Sequence, residues 1–221
     1  MVIVFKKPFN SGFVYDKTLN KTSRKQFIMK KTLICLLILS ATKSMAQDAQ
    51  TIQKDFETIV VYTHQKNIDK VIDMTYPQLF TVMPKAQMKA MAAGVLDGMG
   101  IKTMFEEVPL MLKLSPIKKL SNAAICLGKY NQSMVLEFKT PSLVDMMAKT
   151  KMKDTKMEKI GTNKLRMKGT QYLLAIKDKY TSNTWKYLRY DDEDAATNTK
   201  ILSKEIIAAA TKLKTALISV K

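Results

Sequence analysis

Near Gly100 the apolar residues change period, and that change constrains the fold more than any other feature of the sequence. Ahead of it the spacing is helical. Ile52, Phe56, Ile59, Val60 and Thr63 fall at i, i+4, i+7, i+8 and i+11, one face of a helix over 48–65. Asn67 is placed to cap a second, short helix carrying Ile68, Val71 and Ile72. Pro77 and Pro84 suit the first turns of two more helices, since a proline there gives up an amide that has no partner anyway. The later of these carries Met88, Met91, Ala92 and Val95 on one side, and Gly94, Gly98 and Gly100 mark its exit.

Behind Gly100 the period is two. Val108, Leu110, Leu112 and Leu114 alternate with Pro109, Met111, Lys113 and Ser115, which predicts a strand with one buried face. Pro109 restricts that strand to a start or an edge. The runs 123–127 and 134–138 flank Lys129-Tyr130-Asn131-Gln132 and read as a hairpin. A short helix is expected from Pro141, and a turn at Gly161-Thr162-Asn163. A long strand over 165–177 has Tyr172, Leu174 and Ile176 on one face, and a turn at 180–183 leads into Trp185–Tyr190. Asp191-Asp192-Glu193-Asp194 reads as a solvated loop. Ser203 caps a last helix, in which Ile206, Ala210, Leu213 and Leu217 face the sheet and Lys204, Lys212 and Lys214 lie elsewhere. Helices followed by antiparallel strands define an α+β domain. With 46% hydrophobic residues the chain is too apolar for disorder, and 47–221 is long enough for a single core.

Before that domain the sequence reads as an address. Lys30 and Lys31 precede a short apolar run, and Ser44-Met45-Ala46 puts small residues at −3 and −1 of a cleavage site. This is the pattern of a secretory signal over 29–46, cleaved after Ala46. The apolar run is shorter than the ~20 residues that span a bilayer. We therefore expect Met29 to be the start, 1–28 to be a mispredicted upstream extension, and the product to be periplasmic or secreted with no transmembrane span. Beyond residue 46 the formal charge falls from +18 to +10. Only Cys126 remains there, in an apolar run, so a buried thiol is expected and no internal disulfide.

The segment 173–177 turning back into Trp185-Lys186-Tyr187-Leu188, after a helical front, resembles the closing strand pair of the NTF2-like superfamily, the cone-shaped fold shared by ketosteroid isomerase and polyketide cyclases. The resemblance covers roughly 48–190. It implies N-terminal helices packed on a curved antiparallel sheet around a pocket, here with an extra C-terminal helix. It implies no particular activity.

Enzymes of that superfamily commonly place Asp, His or Tyr inside the cone. Polar residues on otherwise apolar elements are Asp73, Tyr76, Tyr130, Glu137 and Tyr172, and no two of them form a pair that names a catalytic site. We take Tyr76, Tyr130, Tyr172 and Trp185 as pocket candidates. His64, the single histidine, falls at a helix end, where a cation favours the helix dipole. One histidine and one mature cysteine exclude a zinc or iron site of His/Cys type, and no cofactor motif is present. Lys149, Lys151, Lys153, Lys156, Lys159, Lys164, Arg166 and Lys168 form a basic strip with one arginine and no aromatic. That composition argues against nucleic acid and for a solvated surface. Most of the sixteen methionines sit at core spacing, as a soft lining would require. Three readings follow: a non-catalytic module binding a small apolar ligand or an envelope protein; a pocket enzyme of proton transfer or hydrolysis; and a basic surface protein on anionic envelope components.

Overall fold

A computed structural model of the chain describes residues 47–90, 100–150 and 154–219. The expectations for 1–28 and for the leader, and those on Met91, Ala92, Gly94, Val95, Gly98, Lys151 and Lys153, lie outside these residues.

The helical front forms as its periodicity dictates. Helix α1 covers 47–64 and buries Ile52, Phe56 and Ile59. Helix α2, Ile68–Met74, starts at Asn67, whose side chain accepts from the Lys70 amide. The segment opened by Pro77 is a 3-10 helix, Pro77–Thr81, and α3 is Lys85–Ala90.

Among the described residues, seven antiparallel strands form one sheet: β1 (Ile101–Glu106), β2 (Lys113–Leu114), β3 (Lys118–Lys119), β4 (Ala123–Phe138), β5 (Thr155–Lys159), β6 (Lys164–Asp178) and β7 (Lys186–Arg189). Helix α4, Pro141–Ala148, joins β4 to β5. Helices α5, Ala195–Ile201, and α6, Lys204–Ser219, follow β7.

Two expectations are corrected here. The hairpin at 129–132 does not exist. β4 runs straight through it for 16 residues, in unbroken register with β6 from Ala123↔Asp178 to Glu137↔Lys164. The strand expected over 108–115 is regular only at Lys113–Leu114. Its side chains alternate in burial as far as Leu114, whereas Ser115, expected on the outer face, is buried; Pro109 has no amide for a ladder, and Met111 adopts φ +48. The regular strand of that region is β1, whose weak alternation hid it.

β4 and β6 are the long central pair. β1, β2 and β3 line up along the outer side of β4, and β5 and β7 along the outer side of β6. The outer lines are broken at the middle. Among the described residues no outer strand pairs with β4 at 130–132 or with β6 at 170–172, apart from single bonds such as Asn131 N–H to Leu110 O (2.9 Å) and Tyr190 N–H to Tyr172 O (2.9 Å).

Both faces of the sheet are covered. On one, Cys126, Leu173, Ala175 and Tyr187 pack under Ile52, Phe56 and Ile59 of α1. Gly128 allows this approach: a Cβ there would meet the Phe56 ring at 2.9 Å. Asp48 and Asp55 tie α1 down by accepting from Trp185 Nε1 (3.0 Å) and the Tyr187 hydroxyl (2.5 Å). Further along this face, Val144 of α4 packs on Leu136, Phe138 and Leu165. On the other face, Ile125, Leu127, Leu174, Ile176 and Leu188 pack under α5 and α6. Helix α6 starts as expected, with the Ser203 hydroxyl accepting from the Ile206 amide (3.2 Å). Each fully buried Ile or Phe contributes about 1.5–3 kcal/mol at most. No described helix is long and apolar enough to cross a membrane.

Candidate functional site

The break beside β4 opens a cavity of about 230 Å³. Its walls are Ile59 and Val60 from α1, Val108 and Leu110 from the irregular segment, and Tyr130 and Gln132 from β4. The polar run 129–132 therefore supplies a cavity wall where the sequence pointed to a turn. Tyr130 carries no hydrogen bond from any described residue. Burial holds its phenol above the ordinary tyrosine range, against a smaller opposing pull from Arg189. At neutral pH it is a protonated donor without an acceptor. His64 borders the cavity, stacked on Phe105 with ring centroids 5.0 Å apart. No hydrogen bond couples His64 to Tyr130, so the cavity holds a free donor beside a stacked ring and no joined acid–base pair.

The four aromatic candidates do not converge. Trp185 lies with Tyr130 on the α1 face, but its indole is engaged by Asp48, and the Lys177 ammonium sits 5.6 Å from its ring centroid. Tyr76 and Tyr172 belong to the opposite core. The Tyr76 hydroxyl donates to Asp178 Oδ2 (2.8 Å), and burial together with that carboxylate pushes its ionisation far up. Asp73 is exposed, and Glu137 is half-buried against Asn163 and Lys164.

Tyr172 lines a second space, of about 200 Å³, at the matching break beside β6. Lys214 fills its floor. This lysine, expected on the wet side of the last helix, is 5% exposed. Its ammonium is paired with Asp192, lies 3.9 Å from Asp154 Oδ2, and sits 4.4 Å from the Tyr172 ring centroid. No periodicity could reveal it, because its partners come from the turn before β5 and the loop after β7.

Of the basic strip's described residues, Lys156, Lys164, Arg166 and Lys168 share one face of β5 and β6, and several are answered by acids. Lys159 pairs with Asp145 of α4 (2.5 Å) and Lys164 with Glu137 (3.7 Å). Arg166 Nε donates to both Glu106 oxygens (2.9 and 3.0 Å), with Glu158 3.9 Å from Nη1. Lys156 and Lys168 face each other across β5 and β6, and Lys149 is exposed at the end of α4. Cys126 is buried as expected, its thiol donating to Ser115 O (3.2 Å) and pushed up to about 11 by burial. Among the described residues no group of three or more His, Cys, Asp or Glu gathers as metal ligands would. Comparison of the chain with family models, curated proteins and solved structures finds no match.

Proposed function

We propose that the protein is an exported, non-catalytic binding module that takes a small, mostly apolar ligand between α1 and the sheet. The observation that carries this reading is the apolar cavity with the unpartnered Tyr130 hydroxyl in its wall. Tyr130 is half-buried, and a ligand acceptor meeting its hydroxyl would contribute the net worth of one hydrogen bond, about 0.5–1.5 kcal/mol. The cavity lies below the ~300 Å³ lower end of drug-sized sites, so the ligand is fragment-sized and not a lipid chain. The NTF2-like resemblance belongs to the same reading, since it puts a binding space between the first helix and the sheet. Export follows from the leader at 29–46.

The test is ligand-observed NMR with a library of neutral monocyclic ketones, esters and amides, mapped on the methyl signals of Ile59, Val108 and Leu110. Binders should shift these methyls and lose about five- to tenfold in affinity in Y130F, the worth of one buried hydrogen bond. A library that leaves all three methyls unmoved refutes the proposal, as does a binder that Y130F holds equally well.

A further inference from the structure

The acids that answer Lys159, Lys164 and Arg166 leave positive charge concentrated somewhere the sequence did not mark. Where β1 begins and β4 ends, an open groove of about 520 Å³ is lined by Lys66, Lys102 and Lys139, with Glu137 as its acid among the described residues. Among the described residues none of the three lysines has an ion pair. Glu137 is already engaged by Lys164 (3.7 Å) and by the Asn163 amide (3.4 Å), so it does not neutralise them.

Backbone geometry brings the lysines together. Lys102 pairs with Glu137 across the ladder, and the Lys139 amide donates to Gly100 O (2.9 Å). Lys102 and Lys139 are thus diagonal neighbours on one face of the sheet, within reach of one ligand. Gly100, at φ +75, makes room for this. A Cβ there would meet Lys139 Cδ at 2.9 Å, so the lysine stem lies across the bare glycine. Lys66 enters from just beyond α1 at φ +53, a left-handed position usually given to Gly or Asn. Three like charges held along one concavity raise its potential, and each ammonium is a compact charge with three donors.

We propose that this groove binds a multivalent oxyanion, of the phosphate- or sulfate-ester class, independently of the apolar cavity. A single negative charge would leave most of the donors unanswered. A flat anionic surface would not enter the concavity.

The experiment is calorimetric titration of the full chain with sodium tripolyphosphate in 50 mM NaCl. K102Q/K139Q should weaken binding about tenfold and K66Q about threefold, as for partly solvated charges. K156Q/K168Q, which removes the same net charge from open strands, should change it less than about twofold. Raising NaCl to 0.5 M should weaken the wild type about tenfold. K66Q alters no ladder residue, so it decides the matter if the double variant melts early. Absence of tripolyphosphate binding overturns the proposal. So does equal loss in K156Q/K168Q, or binding confined to vesicles of anionic phospholipid.

Discussion

Replacing Lys214 with methionine isolates the ion cluster at the break beside β6. Methionine keeps the stem's packing and removes the ammonium. Breaking a fully buried pair costs about 3–5 kcal/mol, because a charge is left stranded. Here the burial is unequal: the Lys214 side chain is 6% exposed, against 25% for Asp192 and 36% for Asp154. The carboxylates left behind regain water, so the stranded-charge penalty is mostly absent. What is lost is the attraction to Asp192 and the ring contact with Tyr172, together about 1–2 kcal/mol. For a domain of this size that is about 3–6 °C in Tm. Chemical denaturation of wild type, K214M, D192N and the double variant should give a coupling near 1 kcal/mol. A coupling under about 0.3 kcal/mol, or a K214M protein as stable as wild type, would refute the clamp.

Three other outcomes follow from the packing. G128A should cost about 1–3 kcal/mol in urea unfolding, since its methyl meets the Phe56 ring at 2.9 Å and Tyr187 stacks edge-on behind it; an unchanged midpoint would show that the ring has room to move. Glu106 is held below the usual carboxylate range, first by the Ser133 hydroxyl and then by Arg166, against partial burial. Its contribution to stability is present above the unfolded value of about 4.3 and disappears as pH falls through the lower folded value. The stability gap between wild type and E106Q should therefore close between pH 5 and 3, and parallel acid profiles would contradict it. In a C35S background the Cys126 thiol, at about 11, should stay unreactive to an aromatic disulfide at pH 8 until the protein unfolds. Rapid labelling of the folded chain would mean that the core opens locally.

Much of the fold was legible wherever one side chain set met one face. The α1 stripe, the Asn67 and Ser203 caps, the Pro141 helix and the Tyr172–Leu174–Ile176 face are all local patterns, and all form. The failures have a shared cause: polarity served by distant partners. Lys129-Tyr130-Asn131-Gln132 looked like a turn because four polar residues interrupt an apolar run, but they sit where the outer strand line is missing and a cavity takes its place. The lysines of β5 concealed a strand that is bonded to β6 throughout. Lys214 is buried by carboxylates 22 and 60 positions away in the chain. In the site itself, Tyr130 was legible as a candidate, whereas its lack of a partner and the convergence of Lys66, Lys102 and Lys139 are properties of the tertiary arrangement.

The two breaks in the outer strand lines face each other across β4 and β6, near Tyr130↔Gln171. At that waist the sheet is two strands wide, and the single β4–β6 ladder is its only strand pairing among the described residues. The cavity beside β4 and the Lys214 cluster beside β6 thus flank one narrow neck of the sheet, with Tyr130 and Tyr172 turned to its opposite faces.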